Sequence, residues 1–274
     1  MKTFIRWMGN KSQHINKFKQ FIPEFSGTYI EPFLGSGALF LYLKPEKWII
    51  NDLNKDLINI WINVQNNPED IIKRFKKFGE YFKPLSKKDK LQVCKKITSK
   101  IEDMNYDIER VIIYLLMLYC SYKNIINNNK FYFSGLSLNI SSNNQYYFLT
   151  NNYFNNLIEI SNYLNKTNGK IYNQSYENIL EKAKKGDFVF LDPPYIEKHD
   201  YQFNYNKHEQ LDNTFLYKLY NEVKQLDKKN VKWLMTQSNT KEIRDVFKEY
   251  TIKTFKVYRM NKKEYVNELL IMNY

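Results

Sequence analysis

The fold can be predicted from one stretch, GDFVFLDPPY, at residues 186–195. The four residues before Asp192 are all apolar, and so short an apolar run is typical of a strand that is covered on both faces. Pro193 and Pro194 then end the strand, because proline has no N–H to donate to a sheet. Asp192 thus lies at the carboxyl end of a strand, where open α/β sheets bind ligands. A plain strand with a tight Pro-Pro turn explains the same letters equally well.

Strand and helix patterns alternate at both ends of the chain, which predicts an α/β fold with a mostly parallel sheet. The predicted strands are 28–33, 47–51, 170–173, 188–191 and 231–235, and the predicted helices of these parts are 38–43, 213–226 and 241–250. Residues 251–258 and 265–274 alternate in character and are predicted to close the sheet as an antiparallel pair.

The middle of the chain, residues 55–164, has a different pattern. Residues 69–120 are mostly helical in their periodicity, and Ser86 stands where a helix cap is expected before 87–98. Residues 127–152 are rich in Asn, Ser and Tyr without a helical period, which predicts a hairpin or loop. We therefore expect a helical insert that ends in a polar hairpin.

The charge of the chain favours a polyanionic partner. Of its 274 residues, 42 are Lys or Arg and 29 are Asp or Glu, so the formal net charge is +13. Such an excess favours nucleic acid or an anionic membrane surface. The longest apolar run, 111–120, is far shorter than the roughly 20 residues that a membrane-spanning helix needs.

Cysteine and histidine usage predicts an intracellular chain without a metal. Cys94 and Cys120 have no CxxC partner, so both are expected to be reduced thiols. The three histidines do not show the spacing of a zinc site. The first residues show no secretion signal, and we expect an intracellular chain.

A glycine loop, Phe33 to Gly37, follows the first predicted strand. Glycines at this place let a ligand approach the backbone closely, although the full dinucleotide fingerprint GxGxxG is absent and a plain turn is an alternative. Asp52 ends the second predicted strand, where an acid can hydrogen-bond ribose hydroxyls. The alternative for Asp52 is that it caps the helix beginning near Asn54.

The segment RWMGNK, residues 6–11, brings two cations, an aromatic residue and a glycine together ahead of the first strand. We interpret it as a loop over a cofactor, with Trp7 beside the ligand and Lys11 against a carboxylate. A basic arm whose tryptophan packs on the sheet is the alternative.

The four residues of DPPY, at 192–195, can act together on one substrate if that substrate is an adenine. Its amino group is a poor nucleophile, because the nitrogen lone pair is delocalised into the ring. The Asp192 carboxylate and the Pro193 carbonyl can each accept one N–H, and Pro194 restricts the backbone between them. Tyr195 offers a face on which an extruded base can stack. Such a site acts mainly by positioning the nitrogen for attack.

Four motifs in this order resemble the Dam-type (D12 class, alpha group) DNA adenine-N6 methyltransferases. They are RWMGNK at 6–11, EPFLGSG at 31–37, NDLN at 51–54 and GDFVFLDPPY at 186–195, and the resemblance continues through TQSN at 236–239 and NELLIMNY at 267–274. It implies a Rossmann-like class I methyltransferase sheet, S-adenosyl-L-methionine as cofactor and double-stranded DNA as substrate. It also implies a catalytic domain of residues 1–54 and 165–274, with 55–164 as an inserted target-recognition domain. A cognate restriction endonuclease is a further partner that the family allows.

The resemblance also implies a role for individual residues. The expected cofactor-binding residues are Trp7, Gly9, Asn10, Lys11, Phe33, Gly35, Gly37, Asp52, Ser175, Tyr176 and Asp192, and the expected catalytic residues are Asp192, Pro193, Pro194 and Tyr195. Asp52 matches the acid on the ribose, while Ser175 and Tyr176 are expected beside the adenine of the cofactor.

DNA contacts are expected from two places. Arg6 lies where some members carry a DNA-contacting lysine, and residues 122–131 resemble the family's recognition hairpin. The expected DNA-binding residues are Arg6, Lys123, Asn124, Asn127, Asn129 and Lys130. Members that read GATC carry an arginine where this chain has Asn127, so their target sequence does not carry over.

Several other functions fit parts of the sequence. Methylation of cytosine N4 or of RNA uses similar sites, but Asp at the first position and the motif at 6–11 favour adenine in DNA. A non-catalytic nucleic-acid-binding relic is disfavoured because all four DPPY positions are intact. A nicotinamide oxidoreductase would leave DPPY unexplained.

Overall fold

A computed structural model of the chain describes residues 1–7, 9–120, 126–127, 130–131, 147–195, 213–259 and 264–274. Its contacts divide the chain into two compact units. We call the first the helical unit, which comprises Met1–Asn10, Gly35–Lys44 and Asn54–Asn168. The second is the sheet unit, which comprises Lys11–Leu34, Pro45–Leu53 and Gly169–Tyr274.

Strands and helices are numbered along the chain. The strands are β1 Tyr29–Glu31, β2 Lys47–Asn51, β3 Ile126–Asn127, β4 Lys130–Phe131, β5 Asn168–Tyr172, β6 Phe188–Leu191, β7 Lys232–Ser238, β8 Thr251–Arg259 and β9 Glu264–Met272. The α-helices are α1 Ile15–Phe18, α2 Ala38–Leu43, α3 Lys55–Asn66, α4 Pro68–Phe82, α5 Lys87–Thr98, α6 Ile108–Cys120, α7 Asn151–Lys166, α8 Tyr176–Leu180, α9 Asn213–Lys228 and α10 Lys241–Val246.

A seven-stranded sheet forms the sheet unit, in the order β5-β2-β1-β6-β7-β9-β8. The pairs β1–β2, β1–β6 and β6–β7 are parallel, and β9 is antiparallel to both β7 and β8. The predicted α/β sheet and its closing antiparallel pair are therefore confirmed. The strand order reverses at β1, which has β2 on one side and β6 on the other. The carboxyl ends of β1 and β6 are thus the place where such sheets bind ligands.

Strand β6 is central because every one of its side chains is buried. Its start is fixed by Asp187, whose carboxylate accepts the backbone N–H of Thr28 at 2.7 Å and that of Lys184 at 2.9 Å. Gly186 precedes it with a φ of +92°, a conformation that favours glycine. The first two letters of GDFVFLDPPY therefore make the turn that inserts β6 beside β1.

Each face of the sheet has its own apolar layer. One face buries Trp233 and Met235 of β7 with Leu269 of β9 against residues of α8, α9 and α10. On the other face Phe18 of α1 lies 6.1 Å from the ring of Phe190 and 5.9 Å from that of Phe255. This second layer lies under the strand ends that carry DPPY.

Two predicted boundaries in the sheet unit differ most from the structure. Strand β7 continues beyond the predicted residue 235 to Ser238, and the helix predicted for 241–250 ends at Val246. The chain turns there, with the N–H of Tyr250 donating to the carbonyl of Phe247 at 3.0 Å. The physical reason is that Tyr250 makes contacts that a continued helix would not allow. Its hydroxyl donates to Asp227 at 2.6 Å, and its ring contacts Trp233.

A buried ion pair lies in the interior of the helical unit. Arg110 of α6 donates to both carboxylate oxygens of Asp56 in α3, and its guanidinium also reaches the carbonyls of Ile101 and Met104. A buried ion pair needs such additional hydrogen bonds to offset its desolvation. The pair therefore fixes α3 against α6.

The predicted helical middle of the chain is confirmed by α4, α5 and α6. Ser86 caps α5 as predicted, since its hydroxyl accepts the N–H of Asp89 at 3.2 Å. The cap of α3, however, is Asn54, whose side chain accepts from Leu57 at 3.0 Å. The alternative in which Asp52 caps this helix is therefore wrong.

Strands β3 and β4 form a short antiparallel pair at the place predicted for a hairpin. Lys123, Asn124 and Asn129 lie outside the described residues, as do the side chains of Asn127 and Lys130. Within the described ranges, no helix combines the length and apolar character needed to span a bilayer. In the same ranges, no three His, Cys, Asp or Glu side chains are grouped to hold a metal ion.

Candidate active site

Asp192 is ion-paired at the carboxyl end of β6. The Nζ atom of Lys11 lies 2.8 Å from its Oδ1 and 2.9 Å from its Oδ2. The Lys11 side chain is only 8% exposed and that of Asp192 is 20% exposed. The two predicted residues are thus brought together, although the partner of Lys11 here is the protein's own carboxylate.

Thr236 contributes a second contact to the same carboxylate. It is fully buried near the end of β7, and its hydroxyl donates to Oδ1 of Asp192 at 2.5 Å. Leu191 is paired with Met235, so the next residues along the two parallel strands, Asp192 and Thr236, are neighbours on one face. The Asp192 carboxylate is therefore held from two directions.

Tyr195 is fixed at its hydroxyl and on its ring. The hydroxyl donates to Oε2 of Glu268 at 2.7 Å, and the Nζ atom of Lys11 lies over the ring, 4.9 Å from its centre. Burial raises the pKa of Tyr195 well above its usual range, and the neighbouring carboxylates of Asp192 and Glu268 raise it further. The phenol is therefore protonated under physiological conditions. It can donate a hydrogen bond but cannot act as a base.

The two prolines between these side chains are both buried. Pro194 also limits Pro193 to extended conformations, since the residue before a proline avoids the helical region. This part of the chain therefore has little freedom to rearrange around Asp192 and Tyr195.

His14 lies close to this group of side chains. Burial, reinforced by the charges of Lys11 and Lys17, lowers the pKa of His14 to about 4, against a weaker opposite influence of Asp192. The imidazole is thus neutral at physiological pH and adds no further positive charge beside Lys11.

Asn51 connects three strand ends of the sheet unit. Its Nδ2 atom donates to the carbonyls of Pro32 at 2.9 Å and Gln174 at 3.0 Å, and its Oδ1 accepts the N–H of Gln174 at 2.9 Å. It is completely buried at the end of β2. Next to it, Asp52 is only 7% exposed, and its carbonyl accepts from Asn173 at 2.8 Å. Hydrogen bonds therefore fix the backbone around Asp52, the residue predicted to bind the ribose.

Aromatic rings meet at the same edge of the sheet. Phe33 follows β1, and its ring centre lies 5.1 Å from that of Tyr176. Tyr176 is 4% exposed and contacts Phe215 as well, while Ser175 precedes it as the first residue before α8. The structure thus brings Phe33 and Tyr176 together, and only a small part of the Tyr176 surface is accessible.

The glycine loop of the helical unit requires glycine at Gly35 for two reasons. Its φ is +49°, and a Cβ atom built there would lie 2.9 Å from Cδ1 of Trp7. Gly37 also has a positive φ, +63°, at the start of α2. Trp7, which we expect beside the ligand, thus lies against the glycine loop and leaves no room for a side chain at Gly35.

Gly9 and Asn10 form a turn in the same unit. Gly9 has a φ of +76°, and the N–H of Asn10 donates to the carbonyl of Trp7. The Asn10 side chain donates to the hydroxyl of Thr3 at 3.2 Å. These contacts hold the predicted cofactor segment to the amino-terminal residues.

Arg6 is exposed and lies at the carboxyl end of α6. It donates to the carbonyl of Tyr119 at 3.2 Å, and its guanidinium carbon is 5.9 Å from the centre of the Tyr119 ring. Cations are favourable at this end of a helix because the last carbonyls lack helical partners. Arg6, the predicted DNA-contacting residue of the amino-terminal segment, is therefore held at this helix end.

Comparison with known proteins shows what these residues belong to. The family model of D12 class N6 adenine-specific DNA methyltransferases matches residues 7–264. The chain belongs to this family. Membership selects adenine N6 in DNA from the reactions that the sequence left open, and S-adenosyl-L-methionine is the cofactor of that reaction.

Three relatives of this D12 methyltransferase are methyltransferases of bacteria and an archaeon. The type II methyltransferase M1.LlaDCHI of Lactococcus lactis subsp. cremoris is 30% identical over all of this chain and 96% of its own length. The type II methyltransferase M.MjaIII of Methanocaldococcus jannaschii is 26% identical over all of this chain and 99% of its own length. The DNA adenine methylase of Haemophilus influenzae is 26% identical over 71% of this chain and 64% of its own.

Among solved structures, SMU.472, described as a methyltransferase and complexed with SAH, covers 60% of this D12 methyltransferase and 45% of its own chain. The identity is 12% and the TM-score 0.27, a likeness too weak to carry an argument. The fold assignment therefore rests on the family and on the strand order.

The residues of the D12 methyltransferase fit S-adenosyl-L-methionine in their chemistry. The sheet unit offers a buried carboxylate, Asp52, for hydroxyl groups and the rings of Phe33 and Tyr176 for a purine. The helical unit offers the Gly35 backbone, where a side chain would collide with Trp7. These groups match the ribose and the adenine of the cofactor in their chemistry.

Three residues of the site were not predicted from the sequence. Thr236 and Glu268 lie inside the segments TQSN and NELLIMNY, which resemble the family but had no assigned role, and Asn51 precedes the predicted Asp52. A usable signal exists for Glu268, because one acid beside four consecutive apolar residues of a strand must find a partner when it is buried.

Proposed function

We propose that Asp192, Pro193 and Tyr195 form the site that methylates N6 of an adenine in double-stranded DNA. The observation that supports this proposal is the arrangement of Asp192, which Lys11 and Thr236 hold at the carboxyl end of β6. A carboxylate fixed in this way is already oriented before the substrate arrives, which is the condition for catalysis by positioning.

Asp192 accepts one N–H of the target amino group. A carboxylate has about four acceptor positions. Lys11 approaches both oxygens, but Thr236 uses only Oδ1, so Oδ2 keeps the larger capacity for a further hydrogen bond. The Pro193 carbonyl accepts the second N–H. Both contacts return electron density to the nitrogen, which makes it a better nucleophile.

S-adenosyl-L-methionine, when bound, would supply an electrophilic methyl group; the bond between this methyl and sulfur would break, its electron pair would stay on sulfur, and S-adenosyl-L-homocysteine would be released. As the amino nitrogen forms its new bond to carbon, it becomes positively charged and must release one proton. Oδ2 of Asp192 receives this proton first and passes it to water. Tyr195 stacks on the adenine ring, and its protonated hydroxyl takes no part in the proton transfer.

The cofactor residues keep the roles that the family resemblance implies. In the sheet unit these are Lys11, Phe33, Asp52, Ser175, Tyr176 and Asp192, and in the helical unit Trp7, Gly9, Asn10, Gly35 and Gly37. Lys11 has two tasks in this assignment, since it holds Asp192 and supplies a positive charge for a carboxylate of the ligand.

Phosphate contacts come in part from a lysine-rich segment of the helical unit, Lys83–Lys100. It contains seven lysines and one aspartate. Lys88, Lys95 and Lys96 are exposed, and no ion pair within the described part of the chain neutralises them. Phosphate contacts supply much of the affinity for DNA without reading its sequence.

Target recognition is assigned to residues 55–164, with the hairpin and Arg6 as the parts that read bases. The hairpin residues are Lys123, Asn124, Asn127, Asn129 and Lys130. Arginine is the commonest reader of guanine, whereas asparagine suits adenine. Because Asn127 replaces the arginine of GATC-reading members, the target differs from GATC at one or more positions. The names of the type II relatives further suggest a cognate restriction endonuclease.

Sequencing of modified bases tests this proposal. Unmethylated DNA is treated with the purified protein and S-adenosyl-L-methionine, and the positions of methylated adenines are determined. We expect all of them in one short site other than GATC. If every modified adenine lies in GATC, the argument from Asn127 is wrong. Methylation of cytosine alone would contradict the assignment of the site itself.

A further inference from the structure

Glu268 is a buried acid that is hydrogen-bonded to Tyr195, the residue proposed to stack on the adenine. It is 6% exposed on β9, and its Oε2 accepts the hydroxyl of Tyr195 at 2.7 Å. A buried carboxylate is costly unless it is hydrogen-bonded, so its presence needs a reason. An apolar residue at this position would fit the strand better, since Leu269 to Met272 follow directly.

The register of the sheet places Glu268 on the face that carries the active site. Glu268 is paired with Ser238 of β7, and Leu270 with Thr236. Opposite residues of paired strands project to the same face, and residues two apart share a face. Glu268 therefore lies on the same side as Thr236, which contacts Asp192. Because β9 pairs antiparallel with β7, Glu268 lies opposite Ser238, near the carboxyl end of β7, where its side chain contacts Tyr195.

We propose that Glu268 is a positioning residue that fixes the ring of Tyr195 for stacking on the extruded adenine. This inference rests on the proposed function, in which Tyr195 is the stacking residue. The ring is connected to the backbone at one end and its hydroxyl is held by Glu268 at the other. Thr236 also hydrogen-bonds the Tyr195 hydroxyl but is shared with Asp192. Without Glu268 the ring is therefore held less tightly, and fewer molecules present it in the orientation that an extruded base needs.

The hydrogen bond between Tyr195 and Glu268 joins a protonated phenol to a carboxylate. Glu268 accepts and the phenol donates, and hydrogen bonds to charged groups are stronger than those between neutral groups. Loss of the contact is expected to lower kcat by about 10- to 100-fold. It should leave S-adenosyl-L-homocysteine binding nearly unchanged, since Glu268 acts through the stacking residue.

A double-mutant cycle tests the proposal, with Glu268→Ala, Tyr195→Phe and the combination of both. The substrate is a duplex that carries the site found by sequencing, with 2-aminopurine at the target adenine to report extrusion by its fluorescence. The conservative variant Glu268→Gln keeps an acceptor for the hydroxyl. Glu264→Ala removes an exposed acid from the same strand and serves as the control.

We expect Glu268→Ala and Tyr195→Phe to lose similar activity and to change the 2-aminopurine signal. Glu268→Gln should recover activity to within about threefold of the wild-type chain, and Glu268→Ala should add little in the Tyr195→Phe background. Thermal unfolding of each variant shows whether it is folded. The single variants Glu268→Gln and Tyr195→Phe keep the side-chain volume, so they test the proposal even if Glu268→Ala unfolds.

Three results would overturn the proposal. These are wild-type activity of Tyr195→Phe, wild-type activity of Glu268→Ala, or a loss from Glu268→Ala that persists in the Tyr195→Phe background, which indicates a structural role. Tyr195→Ala separates this failure from a failure of the proposed function. If Tyr195→Ala is impaired, stacking stands and only the positioning role fails, whereas full activity of Tyr195→Ala removes the stacking role itself.

Discussion

Lys11 and the exposed lysines of segment Lys83–Lys100 carry the same charge in opposite surroundings. Lys11 is 7% exposed and lies within 3 Å of a carboxylate, at 2.8 Å and 2.9 Å from its two oxygens. Lys95 and Lys96 are exposed on α5 without an ion pair among the described residues. One lysine acts on a defined partner at short range, while the others add to the electrostatic potential of a surface.

This difference predicts two kinds of response to substitution. A buried pair acts through its geometry, so removing one member should change the chemical step at any salt concentration. Exposed lysines act through screened charge, so their effects should be small, nearly additive and dependent on salt. The following substitutions are ordered by the expected size of their effect.

Asp192→Ala is expected to have the largest effect. It removes the acceptor that acts on the amino group during attack, so methyl transfer should fall by about 10²–10³-fold or more. Binding of DNA should be largely kept, and binding of S-adenosyl-L-homocysteine should fall far less than the rate, because Asp192 is one of several residues assigned to the cofactor. Single-turnover rates and calorimetry measure both, with the exposed Asp245→Ala as control. Near-normal turnover by Asp192→Ala would reject the mechanism.

Lys11→Gln should lower kcat by about 10- to 100-fold, because Asp192 then loses the charged partner that approaches both of its oxygens. The loss should be the same at low and at high salt. Rates at saturating DNA measure it over a range of salt concentrations. A loss that disappears as salt is varied would mean that Lys11 acts on DNA phosphates instead of on Asp192.

Lys95→Gln with Lys96→Gln should weaken DNA binding and reduce its dependence on salt. Each lost phosphate contact lowers the slope of log K against log salt by about 0.9. kcat at saturating DNA should be unchanged. Lys184→Gln with Lys185→Gln is the matched control, since these two exposed lysines are also adjacent and precede β6. Equal slopes for the two double variants would remove α5 from the DNA surface.

The smallest effect is expected from His14. Its pKa in the folded chain is lowered to about 4, so the unfolded chain binds a proton more readily. Stability should therefore be complete above the ordinary histidine pKa near 6.5 and decrease as the pH falls from there toward 4. Melting temperatures of the wild-type chain and of His14→Gln measure this. Identical pH profiles would show that His14 is not the group responsible.

Elements with strong local signals could be predicted from the sequence. Helix α2 and strands β2 and β6 begin and end where their patterns predict, because glycine, proline or an acid follows or precedes a short apolar run. The end of α10 could not be predicted, because it depends on the contact of Tyr250 with Asp227 in a different helix. Local periodicity contains no information on such a partner.

The contacts between the predicted site residues could not be predicted from the sequence. Asp192 and Lys11 are 181 positions apart, and nothing in either segment indicates that they form a pair. The role of Glu268 depends on the register between β7 and β9, which is set by the folded sheet. Motifs therefore predicted Asp192 and Tyr195 as site residues, and the structure adds Thr236 and Glu268, which hydrogen-bond them.

The identity of the methylated atom tests the central claim most directly. DNA treated with the purified wild-type chain and labelled S-adenosyl-L-methionine is digested to nucleosides and separated by liquid chromatography with mass spectrometry. Our account predicts that the label is found in N6-methyldeoxyadenosine, and that Asp192→Ala gives none above background. Label in N4-methyldeoxycytidine, or undiminished N6-methyldeoxyadenosine with Asp192→Ala, would contradict it.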